Sequence, residues 1–242
     1  MAWYPETFCR ILEEKYSPEK VHTIVVWTKF PKAILTDPYL SVLSKYDQIY
    51  VHLTITGLGG TAIEPNVPKY KQSLKELPEL IDFLGTPDRL RIRPDPIIKV
   101  KKSDKIITNY KEIEDIIITA ANLGVKTFST SFCYPYGKVI KRLKAKGFDL
   151  VGFTDKEQIE ILNELSSLTS ATVYACNIPG FPTSKCIDGE LLSRLHPQKE
   201  SCSILKAKNQ RPLCGCTHSI DIGWYDMYCK SGCLYCYANT KL

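Results

Sequence analysis

Apolar, β-branched runs alternate along the chain with segments in which apolar residues return every three or four positions. That is the pattern of successive strand and helix units. Strands are predicted over His22 to Thr28, Gln48 to Thr56, Leu90 to Ile98, Val125 to Phe132, Thr172 to Cys176 and Ser219 to Ile222. Between them Leu74, Leu77, Ile81 and Leu84 fall at helical spacing, as do Ile113, Ile116, Ile117 and Ala120, and then Leu162, Leu165 and Leu168. Thr154 and Glu157 stand in the S/T-x-x-E relation that caps a helix at its start. Strands that alternate with helices in this way join into a parallel α/β sheet.

The strands themselves alternate, and successive side chains of a strand point to opposite faces. Arg89, Arg91, Arg93 and Asp95 share one face opposite Leu90 and Ile92; His52, Thr54 and Thr56 oppose Leu53 and Ile55; Thr127, Ser129, Ser131 and Cys133 oppose Phe128 and Phe132. A parallel sheet covered by helices on both sides would be apolar throughout. The predicted fold is therefore an incomplete parallel (β/α) barrel of about six strands, with helices outside and a polar lumen suited to a charged or hydrogen-bonding ligand. An antiparallel sheet with one wet face would alternate too, but the intervening helices argue against it. No repeat or linker divides the chain, so residues 1–242 read as one domain, with 197–242 as an irregular Cys-rich segment.

With 44% hydrophobic and 24% charged residues the 242-residue chain is globular rather than disordered. No apolar run approaches the roughly 20 residues that cross a bilayer, and Glu6, Arg10, Glu13 and Glu14 interrupt the start where a signal peptide needs an apolar stretch. The expected location is the cytosol, with no membrane partner. The net charge of +6 includes a dense lysine run at Lys99 to Lys105. It points weakly to an anionic partner such as nucleic acid, and a solvated lysine surface would look the same.

Ten Cys in such a chain read as metal or redox chemistry rather than a disulfide framework. Cys229-Lys-Ser-Gly-Cys233-Leu-Tyr-Cys236 places three thiols on one short loop with an aromatic residue before the last. Three such thiolates can each bind one iron of a 4Fe-4S cubane and leave the fourth iron open. A zinc site wants four ligands, and Cys214-Gly-Cys216 could supply the missing ones, which would make the chain a zinc- or cluster-stabilised nucleic-acid-binding module without catalysis. Cys176, Cys186, Cys214 and Cys216 could form a second, fully ligated iron–sulfur cluster or remain reduced buried thiols. Lys29, Thr54, Thr56, Arg93 and Asp95 fall at or near the C-terminal ends of predicted strands, where barrel pockets are built. A structural role in a polar barrel interior is the alternative for each.

At the three-Cys loop the sequence resembles the radical S-adenosylmethionine (radical SAM) superfamily, whose motif is C-x3-C-x-aromatic-C. The wider string Cys214-Gly-Cys216, Ser219, Asp221-Ile222-Gly223, Tyr225 and Cys236-Tyr237-Ala238-Asn239 resembles a domain-of-unknown-function family related to spore photoproduct lyase. The likeness extends through Trp27-Thr28-Lys29, Thr54 and Thr56, Glu64-Pro65-Asn66-Val67-Pro68, Arg93-Pro94-Asp95-Pro96-Ile97, Cys186-Ile187-Asp188 and Lys208-Asn209-Gln210-Arg211. The resemblance implies a 4Fe-4S cluster on Cys229, Cys233 and Cys236, S-adenosyl-L-methionine as cofactor, Tyr235 close to its adenine, and an electron donor such as a flavodoxin or ferredoxin. It also implies hydrogen abstraction from a substrate, with Cys133 either a hydrogen donor to a substrate radical or, the more common role for such a thiol, a buried spectator. In most superfamily members the loop follows the first strand near the N-terminus. Here it lies at the C-terminus, so a strand at Ser219 to Ile222 leading into it would make the barrel circularly permuted.

Overall fold

Five of the six predicted strands form, and they lie side by side in the order in which the chain makes them. The structure is a computed structural model that describes residues 2–176, 178–211, 213–223 and 227–238. Its elements in chain order are α1 (Pro5–Lys15), β1 (Ile24–Thr28), α2 (Pro31–Ile34), α3 (Tyr39–Leu43), β2 (Ile49–Thr54), α4 (Tyr70–Lys75), α5 (Leu77–Leu84), β3 (Leu90–Arg93), β4 (Lys99–Lys102) and β5 (Lys105–Thr108). They continue with α6 (Tyr110–Asn122), β6 (Thr127–Thr130), α7 (Gly137–Ala145), β7 (Asp149–Leu150), α8 (Asp155–Ser167), β8 (Thr172–Ala175) and α9 (Gly189–Leu195). A parallel sheet runs β1-β2-β3-β6-β8. The strands stand in the sheet in the same order as in the chain, so each crossover moves one place further along it.

The two faces of the sheet divide as the alternation requires. Val26, Val51, Ile92, Phe128 and Val173 are buried in the main core with Leu12, Leu43, Leu80, Ile116 and Leu165 from the helices. The register carries the opposite face across the strands, with Trp27 beside His52, His52 beside Arg91 and Ser129 beside Tyr174. β3 stops at Arg93 because Pro94 and Pro96 have no N–H to give a ladder. α8 begins at Thr154 with the predicted capping box complete: the Thr154 hydroxyl accepts from the Glu157 N–H, and the Glu157 carboxylate accepts from the Thr154 N–H.

Two expectations change. The segment Ser219 to Ile222 is not a strand. It forms no ladder, Ile220 stays 67% exposed, and the segment lines the far side of a cleft of about 540 Å³ whose near side is the unpaired edge of β1. Among the described residues the parallel sheet accordingly has five strands, and none of those residues forms a strand leading into the three-Cys loop. Second, the polar face is not an open lumen at its middle. The carbonyl of Lys185 accepts from Arg91 Nη1 at 2.7 Å, that of Cys186 from His52 Nε2 at 2.7 Å, and the Ser184 hydroxyl meets that of Ser129 at 2.9 Å. Arg91 and His52 are 3% and 0% exposed, and buried donors must find acceptors. The chain supplies them by laying residues 184–186 across its own sheet.

A small antiparallel sheet, β5-β4-β7, was not foreseen. With α7 it closes a second core of Leu58, Ile98, Val100, Val139, Leu143, Phe148 and Leu234. Residues 197–238 form no strand or helix where described, and isolated bridge residues fall at Lys206, Thr217 and Cys229. No helix among the described residues is long and apolar enough to cross a membrane.

Candidate functional site

In a parallel sheet every strand ends at the same rim, and the residues just past those ends form the site. Lys29 follows β1, Thr56 follows β2, Asp95 follows β3, Ser131 and Cys133 follow β6, and Cys176 follows β8. The C-terminal loop carrying Cys229, Cys233 and Cys236 is fastened to this rim and to α7 by backbone and side-chain bonds together. The Asn66 amide donates to Lys230 O at 2.8 Å and its N–H to Ser231 O at 3.3 Å; Leu234 N–H donates to Ile63 O at 2.9 Å; Arg142 donates to Cys236 O at 2.6 Å and Ala238 O at 3.2 Å. The Tyr4 hydroxyl adds a bond to Tyr228 O. Leu234 is 1% exposed and anchors the loop in the second core. Gly232 has φ +68°, a conformation that disfavours side chains, which explains a glycine in the Cys-x3-Cys spacing.

The centre of the arrangement is Glu64, fully buried in the loop that follows β2. One carboxylate oxygen accepts from Lys29 Nζ at 2.7 Å, from the Tyr235 hydroxyl, and from the Cys233 thiol at 3.6 Å; the other accepts from the Thr56 hydroxyl. Lys29 also donates to the Tyr235 oxygen at 2.9 Å. Three residues singled out in the sequence, Lys29, Thr56 and Tyr235, are thus brought together with Cys233, through an acid that the sequence reading did not assign to the site. The loop holding Glu64 is tight: a Cβ on Gly59 would stand 1.9 Å from the carbonyl of Pro68. Burial, reinforced by Glu64, pushes the Cys233 thiol up to about 12 and the Tyr235 phenol well above its usual range, so both are neutral donors to the carboxylate. Burial also raises Cys236, with a contribution from Cys229.

A second constellation lies further along the rim. Arg93 Nη2 donates to Asp95 at 2.6 Å, and Asp95 accepts from the Ser131 hydroxyl. Thr54 pairs in register with Arg93 on the same polar face. Cys133 is partly buried; burial, with Asp95 adding to it, pushes its thiol up to about 12 and keeps it protonated. Arg93 Nε is buried without a hydrogen-bond partner among the described residues.

Cys176, Cys186, Cys214 and Cys216 influence one another's charge in pairs, and Arg93 acts on Cys176 and Cys186. The Cys216 side chain beside it draws Cys186 down to about 7 against the effect of burial, and Arg93 assists. Cys216 is raised in turn by Cys186. Its sulfur also accepts from the Cys186 N–H at 3.1 Å, and Arg211 donates to Cys176 Sγ at 3.1 Å. Burial raises Cys176, with a small addition from Cys214, and burial with a contribution from Cys216 raises Cys214.

Among the described residues no group of three or more His, Cys, Asp or Glu side chains is arranged to hold a metal ion. A single ion draws its ligands into one tetrahedral shell, whereas a cubane engages each cysteine on a separate iron. Cys229, Cys233 and Cys236 lie within eight residues on one loop, and Cys236 is coupled electrostatically to both of the others. No curated protein matches the chain. The family described as Domain of unknown function (DUF1848) matches residues 5–238, nearly the entire length, and the chain belongs to that family.

Proposed function

We propose that the chain is a radical SAM iron–sulfur enzyme whose cluster is held by Cys229, Cys233 and Cys236. The observation that carries this reading is the fastening of the three-Cys loop to the carboxyl rim of a singly wound parallel sheet through Lys29, Thr56, Glu64 and Tyr235. When bound, a cluster with one open iron supplies the electron that cleaves S-adenosyl-L-methionine to methionine and a 5′-deoxyadenosyl radical, which takes hydrogen from a substrate.

The chain's own groups orient and shield. Glu64 fixes Tyr235 and Cys233 relative to β1 and β2, so the loop meets the rim at one angle. Leu234 and the second core close the underside to water, which matters wherever a radical must be kept from solvent. Lys29 balances the buried charge of Glu64, and Arg93 with Asp95 supplies a paired cation and anion further along the rim for the polar ends of a ligand. Cys133, held as a neutral thiol, keeps the hydrogen that a donor to a substrate radical needs.

Anaerobic reconstitution with iron and sulfide tests the reading. A brown protein with broad absorption near 400 nm and about four irons lost on Cys233→Ala supports it. A colourless protein that retains zinc, with Cys233→Ala without effect on iron, overturns it.

A further inference from the structure

The positive charge of the chain is concentrated. Residues 99–108 and 137–150 together hold nine Lys and Arg against two Asp, an excess of seven that alone exceeds the +6 of the whole chain. The fold gathers these residues into one lobe: β4 pairs with both β5 and β7, and Val100, Val139, Leu143 and Phe148 form the core beneath them. Burying that core turns Lys101, Lys102, Lys105, Lys138, Lys141 and Lys144 outward. Of these, among the described residues, only Lys101 has an acidic partner, Asp104 at 3.8 Å on a fully exposed side chain.

Three tyrosine rings stand in water beside the lysines. Tyr134, Tyr136 and Tyr237 are 65%, 43% and 65% exposed, with Tyr136 4.6 Å from Tyr134 and 6.5 Å from Tyr237 between ring centroids. Tyr136 directly precedes the first residue of α7, and Arg142 of the same helix donates to the carbonyls on either side of Tyr237. The rings are therefore built into the lobe, and they adjoin the cysteine loop, since Tyr237 follows Cys236 directly. A row of exposed rings on the same lobe as exposed cations is the make-up of surfaces that bind single-stranded nucleic acid, where bases stack on the rings and phosphates meet the cations. An anionic membrane would use the lysines, but it rewards an apolar wedge of Trp, Phe or Leu, and here the exposed rings carry hydroxyls. Duplex nucleic acid would leave the rings without stacking partners.

We propose that the lobe of β4, β5 and α7 binds single-stranded nucleic acid, with Tyr134, Tyr136 and Tyr237 as the stacking platform and Lys138 and Lys141 among the phosphate contacts. That this strand is also the substrate rests on the enzymatic reading above; the binding itself does not.

Fluorescence anisotropy of the full chain, purified without reconstitution, tests the binding with labelled oligo-dT and oligo-rU of about 12 nucleotides, a duplex of equal length, and vesicles containing phosphatidylserine. Single strands should bind more tightly than the duplex, and the DNA and RNA arms decide which source is preferred. Tyr134→Ala with Tyr136→Ala should weaken binding about tenfold or more, while the Phe versions at both positions keep it, which separates stacking from loss of fold. Lys138→Gln with Lys141→Gln should lower the log–log salt slope by about 1.4. Equal affinity for duplex and single strand with the Ala variant unaltered, or binding to vesicles but not to either oligonucleotide, would overturn the proposal. Because no cluster is needed, failure here leaves the enzymatic reading standing, and an iron-free protein leaves the binding standing.

Discussion

Lys29 and Glu64 form an ion pair whose two ends differ in access to water, and the difference sets the order of two variants. Glu64 is 1% exposed and Lys29 20%. Removing one partner of a buried pair leaves the other uncompensated, at about 3–5 kcal/mol when neither can reach solvent. In Lys29→Met the stranded group is the carboxylate, which keeps bonds from Tyr235, Thr56 and Cys233 but has no route to water, so the cost should sit in that range. In Glu64→Gln the stranded ammonium can turn to solvent, and the cost should fall to about 2–3 kcal/mol. The double variant removes both charges and should cost less than the sum of the singles by about 1.5–2 kcal/mol. Urea unfolding of the reduced, metal-free protein followed by tryptophan fluorescence measures all three. Single effects that add within about 0.5 kcal/mol, or Glu64→Gln more damaging than Lys29→Met, would refute the reasoning.

Alkylation of the reduced, metal-free protein at neutral pH should reach Cys186 first, because the Cys216 thiol holds it near 7, and should reach Cys133 and Cys233 late, because burial holds both near 12; peptide mass spectrometry over time reads the order, and early labelling of Cys133 or Cys233 would contradict it. Glu157 is drawn down to about 2, first by Lys99 and then by the Thr154 N–H and hydroxyl. Its folded value lies below the ordinary one near 4.5, so its stabilisation is complete above that value and is lost as pH falls through about 2. The melting-temperature gap between the wild type and Glu157→Gln should therefore close between those limits, and a gap that stays constant or widens on acidification would count against the pair.

Much of this fold was legible because burial writes itself into period. The apolar positions of β2 and β3 repeat every second residue, and their polar partners His52 and Arg91 landed on the face opposite the helices, as the alternation required. Ser219 to Ile222 has the same alternation, but strand formation also needs a neighbouring ladder, and a four-residue pattern carries no information about that neighbour. The β4–β5 hairpin was hidden in a lysine run, although Ser103-Asp104 between alternating residues marks its turn. Lys29, Thr56 and Tyr235 were readable from strand ends and motif. Glu64 and Arg142 were not, because a lone acid in a loop and an arginine in a basic helix gain their meaning from contacts 171 and 94 residues away.

The most direct test of the central claim is formation of 5′-deoxyadenosine from S-adenosyl-L-methionine by the reconstituted, chemically reduced protein, measured alongside Cys233→Ala. The account predicts the nucleoside from the wild type and none from the variant. Wild-type protein that holds about four irons yet yields none, or a variant that yields as much as the wild type, would contradict it.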